Sequence, residues 1–463
     1  MNNFFDKNVF LGNKTSKKLY KEVKALPIFD YHCHLSPKEI AEDRKFYNLG
    51  ELWLEGDHYK WRLMRANGAD EEYVTGKADY KSKFFEFAKA AENAAGNAVY
   101  HWIHLELKKY FCIDKPLNSD TAEEIWNKTK EMMKDGSFSA QKLILKSNVE
   151  AVFTTDDPAD TLEYHKAIKD SSFPVRVSPS CRPDMAICGI TKPEFKAYIE
   201  KAEKVSSVKI DSIDGMEEFL TKRIKFFAEN GCKVSDISLT TLPTTVGTKE
   251  DADKALKATL SGEEITEKMT SDYVSYLLVF VAKEYKTNDI AQQLHMSALR
   301  NNNSNLFAKA GADSGNDSVA KIADIDALRN LLDAMAKNNG LPKTIVYTLN
   351  NANYYELATM IGNFWGENGG NLQLGAAWWF CDHLEGIKEQ LKMCSATGLL
   401  GKFNGMLTDS RSFTSYARHD YFRRILCTYV GGLVENGEFE ENAAKKLVKN
   451  LSIENARNFF SIK

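Results

Sequence analysis

Leu26-Pro-Ile-Phe-Asp-Tyr-His-Cys-His34 decides the reading of this chain. An apolar, partly β-branched run passes into polar residues, as a buried strand does where it leaves the core of an α/β protein. Side chains of a strand alternate faces, so His32 and His34 are expected on one side and Cys33 on the other. Two imidazoles so spaced at the C-terminal end of a strand can chelate one divalent cation.

The same kind of run recurs along the chain. Val149–Thr155, Val175–Ser180, Val234–Leu239, Ile290–Met296, Thr344–Leu349, Leu372–Trp378 and Phe403–Thr408 bring the candidate strands to eight. Helical patterns lie between most of them: Pro158–Lys169, Lys192–Val205, Met216–Asn230, Ser318–Asn338, Tyr354–Phe364 and Glu385–Thr397. Strand–helix alternation implies right-handed βαβ units and a parallel sheet. Eight units predict an α/β fold closed as a distorted (β/α)8 TIM-like barrel, with a doubly wound open sheet as the alternative. Residues 1–34 form an N-terminal segment and the first strand. Residues 35–145 are too long for a crossover and read as an inserted helical subdomain. The remainder of the barrel spans 146–411, with a helical insertion at 240–289, and helices follow over 412–463.

Lys plus Arg number 61 and Asp plus Glu 64, a net charge of −3, which argues against a nucleic-acid partner. A hydrophobic share of 43% with 27% charged residues is that of a folded chain. No apolar run approaches the ~20 residues of a membrane span. The first twenty residues show no secretory signal, so a cytoplasmic protein without a membrane partner is expected. The eight cysteines form no CxxC pair and read as free, buried thiols.

Company strengthens the histidine pair. Asp409 closes the eighth candidate strand, which neighbours the first in a barrel, and can complete a His32–His34–Asp409 metal set with coordination positions left open. The bland reading of Asp409 is a turn cap. His295 ends the fifth strand and is either a further ligand, a substrate contact or a structural histidine. Arg182, Arg300 and Arg411 follow strands three, five and eight, at the face where barrel active sites are built. Arginine forks bind carboxylates, so three of them suggest an anionic substrate, unless neighbouring acids neutralise them. Asp156, Asp157, Asp236, Trp378 and Trp379 are expected on the same face, where the tryptophans suit a sugar ring or serve the core. The set also suits a mononuclear metal hydrolase or decarboxylase acting on an anionic small molecule. A barrel that binds carbohydrate without catalysis is a third reading, and it predicts missing ligands.

Longer motifs narrow the choice. Asp30-Tyr-His-Cys-His-Leu35, Asp57-His-Tyr-Lys-Trp-Arg62, Leu294-His-Met-Ser-Ala-Leu-Arg-Asn-Asn-Asn303, Met406-Leu-Thr-Asp-Ser-Arg-Ser-Phe413 and Arg418-His-Asp-Tyr-Phe-Arg-Arg-Ile-Leu-Cys427 resemble the signatures of uronate (glucuronate) isomerases, a divergent branch of the amidohydrolase superfamily. The resemblance implies interconversion of D-glucuronate with D-fructuronate and of D-galacturonate with D-tagaturonate, by proton transfer between C2 and C1. It makes His32, His34 and Asp409 ligands of one divalent cation, with Zn2+ expected and Mn2+, Fe2+ or Co2+ admitted by the donor set. Asp409 takes the proton-shuttling role, acting directly or through a metal-bound oxygen. Tyr59, His295 and Arg411 match catalytic positions. Arg182 and Arg300 match substrate contacts, either being a candidate for the C6 carboxylate, with Trp378 and Asp236 beside them. A homo-oligomer is expected. Cys381 departs from the family pattern, which has Asn there, and bears on a local contact only.

Overall fold

The computed structural model describes residues 4–337, 339–366 and 369–462. Three parallel strands, β1 (Ile28–Asp30), β2 (Val149–Phe153) and β3 (Arg176–Ser178), form one sheet in that order. Four more, β4 (Val234–Leu239), β5 (Ala291–Met296), β6 (Thr344–Thr348) and β7 (Leu372–Leu374), form a second parallel sheet. Cys181 joins the two: its N–H donates to Val234 O (3.1 Å), and its carbonyl accepts from the Asp236 N–H (3.1 Å).

The eighth stave closes the ring differently from expectation. Residues 403–410 form no regular strand. Gly405 sits at φ +81°, and a Cβ there would meet Leu451 O at 2.0 Å, so the Asn404-Gly405 pair turns the backbone out of an extended path. Side chains replace the missing ladder. On the β7 side, the Asn404 N–H donates to Gln373 Oε1 (3.2 Å) and Gln373 Nε2 donates to Asn404 Oδ1 (3.4 Å). On the β1 side, Thr408 N–H and Oγ1–H donate to the two oxygens of Asp30 (2.7 and 2.6 Å). Backbone bonds then resume, from the Asp409 N–H to His32 O (3.1 Å) and from the His34 N–H to Ser410 O (3.0 Å). The result is a distorted (β/α)8 barrel, the architecture the alternation predicts.

Its interior is packed, and the central strands are covered on both faces: every residue of β5 and β6 is buried. The end opposite the site is plugged by Phe460, whose ring stacks on Phe29 (5.9 Å) and meets Tyr31 (5.0 Å) and Phe153 (5.8 Å). Helices from Pro37–Ala41 to Ala140–Lys146 occupy the interval between β1 and β2, and Lys249–Ser261 and Glu267–Thr287 that between β4 and β5. The helix Lys14–Val23 lies along Ala417–Glu435. Some helices start later than their patterns: the one expected from Pro158 begins at Glu163, and the one expected from Ser318 begins later still. Ser318–Val319 pairs antiparallel with Ala298–Leu299, and the helix starts only at Ile325, next to Asp324, whose carboxylate accepts from the Ala327 N–H (3.0 Å). Asn338, the expected end of that helix, lies outside the described residues. All eight cysteines are free, but Cys112 is exposed and Cys188 and Cys394 are half-buried. Among the described residues no helix is long and apolar enough to cross a membrane.

Candidate active site

His32 and His34 lie just past β1 and are fixed by neighbours instead of by a ladder. The Cys33 N–H donates to Phe153 O (3.0 Å) and its thiol turns the same way (3.3 Å), so the expected alternation holds beyond the strand's end. Asp409 adopts φ +45°, a left-handed conformation that a non-glycine residue keeps only when its surroundings enforce it. Here the bond from its N–H to His32 O does so, and the carboxylate turns between the imidazoles. Oδ1 lies 3.3 Å from His32 Nε2 and 3.1 Å from His34 Nε2. Oδ2 accepts a hydrogen bond from Trp378 Nε1 (2.8 Å). Burial works to raise the Asp409 carboxyl, but its bonds and charge interactions with the two histidines outweigh that and hold it well below the usual carboxylate range. Burial lowers His34 to about 4, against the pull of Asp409.

A second buried group adjoins the first. His295 Nδ1 lies 2.6 Å from Asp236 Oδ1, and Asp236 Oδ2 lies 2.9 Å from a terminal nitrogen of Arg182. The Arg182 Nε–H donates to Asp184 (2.9 Å). Burial disfavours the charged Asp236, yet Arg182 and His295 keep it ionised far below its ordinary value. A hydrogen bond at Nδ1 fixes which ring nitrogen of a histidine faces the site, and His295 Nε2 is left without a partner. His32 and His295 rings are 5.1 Å apart, so His32 belongs to both groups.

These positions test the fit of a cation. Donor atoms of His32, His34 and Asp409 lie within 4.8 Å of one another, as do those of His32, Asp236 and His295. Nitrogen and carboxylate donors suit a divalent transition ion. The first set fits better: Arg182 already neutralises Asp236, whereas no cationic residue pairs with Asp409 among the described residues.

The first set opens on a cavity of about 270 Å3, which Arg182, Arg300, Arg411, His295, Trp378 and Trp379 also line. Each arginine has a carboxylate partner: Asp236 and Asp184 for Arg182, Asp317 (3.2 Å) for Arg300, Asp313 (3.0 Å) for Arg411. Arg300 also lies over the Trp379 ring (4.7 Å). Asp236 sits beneath the cavity, behind Arg182 and His295. Tyr59 lines a neighbouring cavity and stacks on His58 (4.7 Å), which reaches both spaces. Neither Asp156 nor Asp157 reaches the site: Asp156 is buried against Thr154 and Ser180, and Asp157 accepts from the Ala159 N–H. Sequence reasoning missed His58, Thr155, Ser238 and Asp313. His58 lies within Asp57–Arg62, one of the motifs that carry the family resemblance, and so offered a signal. Asp313 lies in an irregular excursion where no periodicity marks it.

A family model described as glucuronate isomerase matches residues 1–460. The chain is 47% identical, over its full length and that of the relative, to a uronate isomerase of Caldanaerobacter subterraneus subsp. tengcongensis. It is 46% identical to one of Caldicellulosiruptor saccharolyticus, covering 99% of this chain and all of the relative. Among solved structures, a uronate isomerase of Thermotoga maritima superposes with TM-score 0.94 at 34% identity, covering 99% of this chain and all of that one. A glucuronate isomerase of Caulobacter crescentus shares the fold, with TM-score 0.91 at 23% identity over 99% and 97% of the two chains.

Proposed function

The chain belongs to the glucuronate isomerase family, and from that premise we propose how its own residues carry out the aldose–ketose isomerisation of uronates. The reaction exchanges the C1 aldehyde and C2 hydroxyl of an open-chain uronate for a C1 hydroxyl and a C2 ketone. D-glucuronate gives D-fructuronate, and D-galacturonate gives D-tagaturonate. A hydrolase or decarboxylase reading is not favoured by a full-length family match.

His32, His34 and Asp409 hold one divalent cation, with Zn2+ first and Mn2+, Fe2+ or Co2+ admitted by the same donors. When bound, it supplies polarisation of the sugar's carbonyl and hydroxyl oxygens. Asp409 takes the proton from C2 and returns it to C1, its carboxylate kept ionised by the histidines and aimed by the Trp378 N–H. His295, whose Nδ1 is held by the Asp236 carboxylate, presents the Nε2 lone pair to the C2 hydroxyl and carries its proton to the C1 oxygen as the carbonyl migrates. Arg411 adds positive charge beside Asp409.

Arg300 holds the C6 carboxylate. It has one carboxylate partner and rests on Trp379, whereas Arg182 is already held by Asp236 and Asp184 and acts mainly by fixing Asp236. Trp378 and Trp379 pack the sugar's carbon chain. Tyr59 acts from the neighbouring cavity by backing His58. A cytoplasmic homo-oligomer completes the reading, and sedimentation checks the assembly.

The observation that carries this reading is the carboxylate of Asp409 set 3.3 and 3.1 Å from two imidazoles in a cavity lined by three arginines. Asp409→Asn is the test. Loss of about 100-fold or more in turnover of D-glucuronate, with the circular dichroism spectrum unchanged, is expected for a proton-transfer group. Wild-type turnover in that variant removes Asp409 from catalysis.

A further inference from the structure

The cavity next to the active site has features that a single uronate leaves unused. It measures about 400 Å3 and shares His58 and Trp379 with the active-site cavity as a common wall. Tyr59, Trp102 and Phe380 give it aromatic faces. Such surfaces with a few placed polar groups are the usual make-up of a ligand site.

Two buried polar groups of that wall are unpaired, and a third is a cation without a carboxylate. The indole Nε1–H of Trp102 and Oδ1 of Asp382 are buried, and neither has a hydrogen-bond partner among the described residues. Buried polar atoms are normally paired, so an unpaired donor and an unpaired acceptor in one wall point to a partner that supplies both. Hydroxyl groups do this. Arg62 adds charge. Its guanidinium lies over the Phe380 ring (4.9 Å) and donates to backbone carbonyls of Asp317 (2.8 Å) and Gly315 (3.4 Å). Among the described residues no carboxylate pairs with it, in contrast to each arginine of the active-site cavity.

Resting on the isomerase reading above, we propose that this cavity is a second subsite for an acidic sugar, and that the reducing-end uronate of a uronate disaccharide is also a substrate. The reducing-end residue occupies the active site. The attached residue lies across the His58–Trp379 wall, with its carboxylate on Arg62 and its hydroxyls on Trp102 and Asp382. The chemistry is unchanged: one proton moves from C2 to C1, the hydroxyl proton moves from O2 to O1 as the carbonyl moves from C1 to C2, and the glycosidic bond is neither formed nor broken.

The test compares digalacturonate and galacturonate by NMR, with the metal-loaded wild type, Arg62→Gln, and Ala98→Trp, which adds bulk at another lining residue of the cavity. Conversion of digalacturonate to a ketose-ended disaccharide is expected. Its kcat/KM is expected to fall about tenfold or more in both variants, with galacturonate turnover within about twofold of wild type. Galacturonate turnover with no conversion of digalacturonate overturns the inference, and so does an equal loss on both substrates in both variants. Failure of the wild type on galacturonate itself overturns instead the reading on which the inference rests.

Discussion

Trp378 shows how much one side chain can settle. Its indole N–H donates to Asp409 Oδ2 at 2.8 Å, leaving Oδ1 to the histidines. A hydrogen bond to a charged group contributes about 1.5–3 kcal/mol. Trp378→Phe keeps an aromatic ring and removes the donor, so kcat is expected to fall about tenfold or more while the unfolding temperature drops by only a few degrees. Steady-state kinetics beside thermal unfolding checks this. Asp156 offers a pH dependence away from the donor atoms of the site. Burial pushes its carboxyl up to about 7, against the bonds from Thr154 and the Ser180 N–H. The folded value lies above the unfolded one, so between about pH 4 and 7 the native chain holds a proton that the unfolded chain has lost. That part of the stability is present at low pH and fades as pH rises through 7. Asp156→Asn removes the slope. Its unfolding temperature relative to wild type is expected to climb from pH 4.5 to 7.5 and then level off. Histidine 32 and its neighbours were legible in the sequence because the two-residue spacing is itself geometric. Asp313 was not, because nothing in an irregular loop predicts which arginine a carboxylate will meet.

Among elements, the eighth stave is where pattern and structure part. Phe403–Thr408 has the apolar content of a strand but carries Asn404-Gly405, and the turn it forces leaves ladder groups without partners. Asp30, itself fully buried, takes up one of them, the Thr408 N–H, and also accepts from the Thr408 hydroxyl. The consequence reaches the chemistry, because Thr408 precedes Asp409. Asp30→Ala leaves a buried N–H and a hydroxyl unbonded at an estimated cost of about 2–4 kcal/mol. It is expected to lower both the unfolding temperature and the bound metal per chain, while Asp30→Asn, which keeps one acceptor, loses less. Metal analysis of the refolded variants separates this from a purely structural defect: unchanged metal content would detach the stave from the site. The helix expected from Ser318 illustrates the opposite limit. Its apolar spacing is real from Ile325 onward, but the two residues at its start were claimed by a hairpin partner twenty positions earlier. Pairing between distant segments is invisible to local periodicity.

At the scale of the molecule, alternation of apolar runs with helical spacing was enough to read a barrel, since parallel strands buried on both faces have few other architectures. What the pattern could not supply was how the ring closes, which depends on side chains of Asp30, Gln373 and Asn404, or that Phe460 plugs the far end. The candidate site followed the same division. His32, His34, Asp409, His295 and the three arginines meet in one cavity, whereas Tyr59 and Asp236 stand behind its wall and floor. Two overlapping donor sets share His32, and the proposed metal site is the first of them, His32, His34 and Asp409. An anomalous-scattering map of crystals loaded with one equivalent of Zn2+ decides between them. One peak per chain is expected, about 2.0–2.2 Å from His32 Nε2, His34 Nε2 and an oxygen of Asp409. A peak held by Asp236 and His295 instead, with Asp409 and His34 uncoordinated, would contradict that assignment.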